Sequence, residues 1–110
     1  MLLRTVRMTF RPDAVAPFLA LFREAQPKIS AADGCEALAL WADPRYPNVL
    51  TTVSTWQSRA HLDAYRHSEL FETTWAKTKP MFAARPVAHS HVPVAAEPPA
   101  ERDRTPADPR

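Results

Sequence analysis

The stretch CEALALWADPRYPNVLTTVSTW, residues 35–56, contains two strand-like runs separated by a turn. The first run, residues 35–43, is almost entirely apolar, and the second, residues 48–56, is rich in valine and threonine, which favour strands. Between them PRYP, residues 44–47, places two prolines, which favour a turn. Two strands joined by so short a connection predict a β-hairpin.

Upstream of the hairpin, the pattern predicts a strand and then a helix. The segment LLRTVRMTF alternates its side chains, so Val6, Met8 and Phe10 are expected on one face of a strand. The apolar residues that follow recur at helical spacing and predict one apolar stripe on a helix. They are Val15, Phe18, Leu19, Phe22 and Ile29.

Short polar residues and one glycine mark the expected helix ends. Asp13 is expected to cap the first helix, and Ser58 and Ser68 are expected to cap two helical segments after the hairpin. Gly34 is the only glycine in the chain, and it stands where the first helix must stop. A left-handed residue is common at that point, and glycine adopts it without a Cβ clash.

RPVAHSHV, residues 85–92, predicts a final strand, which gives the element order β-α-β-β-α-β. This order is that of the ferredoxin-like α+β fold with an antiparallel sheet, in which helices cover one face. The strand at 35–43 is nevertheless apolar on both faces. Leu38 and Leu40 share one face, and the other takes Cys35, Ala37, Ala39 and Trp41. A second copy of the same sheet is the simplest cover, so we expect a homodimer with its sheets face to face.

The amino-acid composition changes at Pro93, which marks the expected end of the folded domain. Residues 93–110 hold five of the twelve prolines and no aromatic residue, which predicts a flexible Pro-rich tail after a folded domain of residues 1–92.

The net charge of +2 without a basic run disfavours nucleic acid as a partner. No apolar run approaches the roughly 20 residues that span a bilayer, and no signal peptide stands at the start, so a cytoplasmic protein without membrane contact is expected.

Aromatic residues are densest in the segment STWQSRAHLDAYRHSELFETTWAKTKPMF, residues 54–82. Trp56, Tyr65, Phe71 and Trp75 are expected either to pack helices onto the sheet or to line a substrate pocket, and the same rings can do both. Phe71 and Trp75 are four residues apart and should stack on one helical face.

Polar residues near these rings are the other candidates. Thr52 and Ser54 share a strand face with Trp56 and are small enough to leave room for a ligand, although the pattern leaves open which face meets the helices. His61 is the candidate for acid–base work, and Tyr65 for a hydrogen bond to substrate. Asn48 is expected either to hold a phenolate oxygen or to stand in the turn. Arg66 is expected on a solvated helix face, and the alternative is an anchor for an anionic substrate.

The histidines and the single cysteine do not predict a metal site. His61 and His67 are six residues apart and fall on different faces of a helix. His89 and His91 share a strand face but have no third ligand nearby. Cys35 is expected to be a small buried residue.

Several of these segments together resemble the antibiotic biosynthesis monooxygenase (ABM) family. They are PKISAADGCEALALWAD (27–43), Asn48, STWQSRAHLDAYRHSELFETTW (54–75) and KPMFAARPVAHS (79–90). The resemblance implies the dimeric α+β barrel of that family, built from ferredoxin-like halves. It also implies a monooxygenase that uses O₂ and no cofactor, with a small electron-rich aromatic such as a quinol or a polyketide phenol as substrate. The alternative is a non-catalytic module of the same fold that binds an aromatic ligand or mediates dimerisation.

One branch of the ABM family degrades haem, and it uses an Asn, a Trp and a His that binds the iron. Trp56 matches the Trp position, but the Asn position falls near Val6 and the His position on Trp75. Haem degradation is therefore disfavoured. The resemblance implies that the substrate anion itself supplies the electron to O₂, so the protein needs an enclosed apolar pocket and a few polar groups.

Overall fold

The computed structural model describes residues 1–95. It contains four strands, three α-helices and two short 3-10 turns. These are β1 (Leu2–Thr9), a turn (Pro12–Ala14), α1 (Val15–Ser30), β2 (Cys35–Ala42), β3 (Val49–Trp56), α2 (Arg59–Arg66), α3 (Glu69–Thr78), a turn (Lys79–Met81) and β4 (Val87–His91). Residues 96–110, most of the tail predicted from residue 93, lie outside the described residues, so the division into domain and tail stays a prediction.

The four strands form one antiparallel sheet in the order β2-β3-β1-β4. The hairpin predicted for residues 35–56 is the β2–β3 pair, in which Leu38 lies opposite Ser54 and Leu40 opposite Thr52. The first strand is central because β1 pairs with both β3 and β4. The predicted ferredoxin-like α+β fold is confirmed.

The helices pack on one face of this sheet, and strand alternation decides which residues meet them. Met8, Phe10 and Leu50 are buried there against Phe18 of α1. In β3, Leu50, Ser54 and Trp56 are buried, which resolves the question that the sequence pattern left open. The other face, called the open face below, has no helix on it within residues 1–95.

The first helix begins one residue later than expected. Asp13 lies in the 3-10 turn, where its carboxylate accepts a hydrogen bond from Arg11 Nε at 3.3 Å, and Ala14 stands at the N-cap without a side-chain bond. The prediction that Asp13 caps α1 is therefore wrong, because Pro12 starts a tighter turn first. The predicted apolar stripe of α1 is confirmed, with Phe18 and Ile29 buried.

The other residues predicted to mark helix ends are confirmed. Ser58 Oγ accepts the backbone N–H of His61 at the start of α2, and Ser68 Oγ accepts that of Phe71 at the start of α3. Gly34 has φ of +83°, the left-handed conformation expected after α1.

Cys35 does not share a face with Ala37 as the simple alternation predicted. It lies opposite Trp56, whereas Ala37 lies opposite Thr55, so Glu36 is an extra residue in a β-bulge. A bulge reverses the face of the residues before it. The Cys35 side chain therefore packs on the helix side with Trp56, and burial raises the pKa of its thiol.

Candidate functional site

A cavity of about 280 Å³ lies between the helices and the sheet. Its floor comes from alternate residues of all four strands, and its walls come from the three helices. Six of the residues predicted for a substrate pocket line it together: Thr52, Ser54, Trp56, Tyr65, Phe71 and Trp75. Core and pocket wall are thus the same residues, as the sequence pattern allowed.

Four aromatic rings form a continuous wall of the cavity. Trp56 and Tyr65 stack with ring centroids 5.1 Å apart, and the Phe71 ring stands edge-on to Tyr65 at 5.3 Å. Phe71 and Trp75 stack at 5.8 Å with an interplanar angle of 12°, which confirms the pairing expected from their spacing along α3. Flat apolar faces of this kind suit a flat aromatic ligand.

Ser54 is the most buried polar group of the floor. Its side chain is 7% exposed, and its Oγ accepts a hydrogen bond from Trp56 Nε1 at 2.9 Å. Within residues 1–95 the hydroxyl hydrogen of Ser54 has no protein acceptor. A hydroxyl in this state is available to donate to a ligand oxygen.

Tyr65 projects from α2 onto Trp56 at the end of β3 and is mostly buried. Burial, reinforced by the nearby Cys35 thiol, raises the pKa of Tyr65 to about 12. The phenol therefore stays protonated at neutral pH, and its hydroxyl makes no hydrogen bond to another group of the described chain. It is equipped to donate a hydrogen bond and is unsuited to remove a proton.

Two arginines also line the cavity, Arg4 from β1 and Arg66 from the end of α2. Burial lowers the pKa of Arg4, and the positive charges of Arg66 and Arg59 lower it further, while Asp63 opposes them. The sequence pattern did not indicate Arg4. For Arg66 it left two interpretations open, an anchor for an anionic substrate and a residue of a solvated helix face, of which the second was preferred. The sequence could have indicated Arg4, because Arg4 and Val6 are two residues apart and therefore share one face of β1.

His61 and Asn48 do not join the cavity lining. The His61 Nδ1 lies 2.7 Å from Ser58 Oγ, its Nε2 lies 3.8 Å from Asp33 Oδ2, and its ring packs on Gly34. Asn48 Nδ2 donates to the Phe10 carbonyl at 2.9 Å, which ties the start of β3 to the end of β1. Asn48 is therefore a turn residue, which was the second of the two roles expected for it.

Residues 1–95 contain neither a cluster of metal ligands nor a helix that could span a membrane. No group of three or more His, Cys, Asp or Glu side chains there is arranged to hold a metal ion. His89 and His91 lie on the open face with ring centroids 6.1 Å apart. No helix in this part of the chain has the length and apolar character to cross a membrane.

Solved structures similar to this one share its fold at low sequence identity. An antibiotic biosynthesis monooxygenase superposes with a TM-score of 0.80 at 23% identity, covering 86% of this chain and 99% of its own. A protein from Mycobacterium tuberculosis gives 0.79 at 22% identity, covering 88% and 98%. A protein from Pseudomonas aeruginosa gives 0.76 at 16% identity, covering 86% and 94%.

No curated protein matches the chain in sequence. The family model described as "Antibiotic biosynthesis monooxygenase" matches residues 1–77, which include β1, the hairpin, α2 and most of α3. Every helix-borne aromatic of the cavity wall lies within that match. The chain therefore belongs to the antibiotic biosynthesis monooxygenase (ABM) family.

Proposed function

We propose that the protein is a cofactor-independent monooxygenase that acts on a small electron-rich aromatic, a quinol or a polyketide phenol. The observation that carries this proposal is the cavity itself, with its aromatic wall and a few hydroxyl groups. Membership of the ABM family supports monooxygenase chemistry at the level of the family. The cytoplasmic location expected from the sequence stays part of the proposal.

The reaction requires little of the protein beyond binding and charge stabilisation. The substrate phenol or enol loses a proton, and its carbanion-like ring passes an electron to O₂. The substrate radical and superoxide join in a carbon–oxygen bond, and the peroxide takes up the proton released in the first step. Loss of water, whose second hydrogen comes from the oxygenated carbon, leaves one oxygen atom in the product. Donors aimed at the developing oxyanion lower the barrier most when they are fixed in a site that excludes water.

Ser54 and Tyr65 supply these donors in our proposal. Each has a hydroxyl hydrogen without a protein acceptor in the described chain, and each lies beside the Trp56 ring. Because the pKa of Tyr65 is about 12, its phenol remains a donor at neutral and mildly alkaline pH. The rate should therefore rise with pH as the substrate ionises, with no loss from Tyr65 below about pH 10.

Oxygen uptake with a panel of hydroquinones and anthrones tests the function. Thr74 lines the cavity, whereas its neighbour Thr73 is exposed on the same helix. A Thr74→Trp variant fills the cavity, so we expect its kcat/KM to fall at least about tenfold, while Thr73→Trp stays within about twofold of the wild type. Uptake no faster than the uncatalysed rate across the whole panel would contradict the proposal.

The catalytic roles predicted for His61 and Tyr65 enter the same assay. Tyr65→Phe removes only the hydroxyl and is expected to lower kcat. His61→Gln is the comparison, and a large loss of kcat there would restore the acid–base role that was predicted from the sequence, despite the position of His61 outside the cavity.

A second candidate is a non-catalytic module that binds an aromatic ligand. It is favoured by one observation: the described cavity lining contains no carboxylate or histidine to accept the substrate proton. Tight binding of an anthrone or hydroquinone, with no oxygen uptake and no product, would identify this alternative.

We also propose the homodimer that the apolar outer side of β2 predicts. Trp41 is 63% exposed there, and Val53 lies at the centre of the face between Ala39 of β2 and Thr5 of β1. Light scattering should give twice the chain mass of 12.4 kDa. Val53→Lys should give a monomer, because a charge at this point is desolvated on pairing, whereas Val53→Thr keeps the shape and should remain a dimer. A wild-type monomer at micromolar concentration would refute the pairing.

A further inference from the structure

The two arginines of the cavity lining have no acidic partner in the described chain. The ion pairs found among residues 1–95 are Arg11 with Asp13 and His61 with Asp33. Arg4 donates one hydrogen bond at 2.9 Å, to the neutral Ser90 Oγ. A partly buried guanidinium is normally paired with a carboxylate, so this arrangement leaves positive charge facing the cavity.

Neighbouring charges make this imbalance larger. Arg66 and Arg59 both repel Arg4, and Asp63 is the acid that partly offsets them. All three lie on α2, and of these Arg66 also reaches the cavity lining. An anion bound between Arg4 and Arg66 would relieve the repulsion and replace part of the hydration that burial removes.

The register of the sheet places this charge next to the proposed oxyanion donor. Arg4 lies directly opposite Ser54 on β3 and Ser90 on β4, so the three form one polar row across the helix side of the sheet. The Trp56 Nε1–H bonds to the same Ser54 hydroxyl. A ring packed on Trp56 therefore has both a hydroxyl donor and a guanidinium within the reach of its substituents.

We propose that the cavity selects aromatic compounds that carry a carboxylate, with the carboxylate held by Arg4 and Arg66 and the ring against Trp56. The planar fork of a guanidinium matches a carboxylate with two parallel hydrogen bonds, which favours this anion over a single-point oxyanion. The selection rests on the same cavity as the proposed monooxygenase function and adds a class of substrate to it.

Binding of a matched pair of ligands tests the proposal without turnover. 1-Hydroxy-2-naphthoate and its neutral amide differ in the charged group alone, and quenching of tryptophan fluorescence in oxygen-free buffer reports binding beside Trp56 and Trp75. We expect the carboxylate to bind the wild type at least about tenfold more tightly than the amide, because hydrogen bonds to charged groups are the stronger ones.

Two charge-removing variants and one control assign the effect. Arg4→Met and Arg66→Met should each reduce the preference for the carboxylate by about tenfold while leaving the affinity for the amide within about twofold. Arg23→Met removes an exposed arginine of α1 and should leave the preference unchanged. Arg66 is itself exposed, so its variant keeps the test valid if Arg4→Met does not fold.

The outcomes separate this proposal from the monooxygenase. Equal affinity for the two ligands, or a preference that survives both arginine variants, overturns carboxylate selection even if neutral phenols are oxygenated. A carboxylate preference that depends on Arg4 or Arg66 upholds it even if no ligand consumes oxygen.

Discussion

Trp56→Ala is expected to lower the free energy of unfolding by about 3–5 kcal/mol, the usual cost of removing a large buried ring. The Trp56 side chain is 1% exposed and packs with Leu2 and Leu62 in its own core cluster. Its loss would also leave Ser54 without the Nε1–H donor and Tyr65 without the ring on which it stacks. Urea unfolding followed by circular dichroism at one fixed protein concentration measures the change.

Trp56→Phe is the matched control for that experiment. It keeps an aromatic ring in the cluster and removes the hydrogen bond to Ser54, so we expect a loss of about 1–2 kcal/mol. A loss below about 1 kcal/mol in Trp56→Ala would show that the cavity wall tolerates a missing ring. In that event the packing argument for the whole site would fail with it.

Gly34→Ala is expected to cost about 2–4 kcal/mol of stability for two separate reasons. The φ of +83° is a strained conformation for any residue with a Cβ. In addition, an added Cβ would overlap the ring and the Cβ of His61, a residue in the first turn of α2. The Gly34 carbonyl also accepts the backbone N–H of Gln57 at 2.8 Å, so the strained loop and the start of α2 must move together.

A double-mutant cycle with His61→Gly separates the two reasons. Removing the His61 side chain clears all the overlapping atoms and leaves the backbone strain in place. His61→Gly alone should destabilise by about 1 kcal/mol, whereas in the Gly34→Ala background it should be neutral or stabilising. Strict additivity in this cycle would contradict the steric half of the argument. Urea midpoints of the four proteins give the answer.

Local patterns predicted most of the fold. The strands, the apolar stripe of α1, the serine caps of α2 and α3 and the left-handed Gly34 depend on alternation, helical spacing and backbone sterics, all of which are local. The two errors of local structure have local causes as well. Pro12 starts a 3-10 turn ahead of the expected cap, and the bulge at Glu36 turns Cys35 to the other face.

The lining of the cavity was predicted where it follows from strand parity and helix spacing, and it was missed where it depends on tertiary packing. Thr52, Ser54 and Trp56 share one face of β3, so if one of them lines the cavity, the other two are expected to line it as well. His61 was predicted at the site because it lies close to the inner stripe of α2. However, α2 lies so close to Gly34 that the His61 ring packs on the glycine, outside the cavity. Arg4 was missed because a charged residue is not expected on an inward face, even though parity puts it there.

The alternation of β3 has a consequence for how such a chain can diverge. Odd and even positions of one eight-residue strand meet different surroundings: Thr52 and Ser54 meet the cavity, and Thr51 and Val53 meet the open face. Point substitutions in neighbouring codons can therefore change the cavity lining and the open face separately. A deletion of one residue would exchange the two sets at once, so substitutions and length changes in this strand face very different selection.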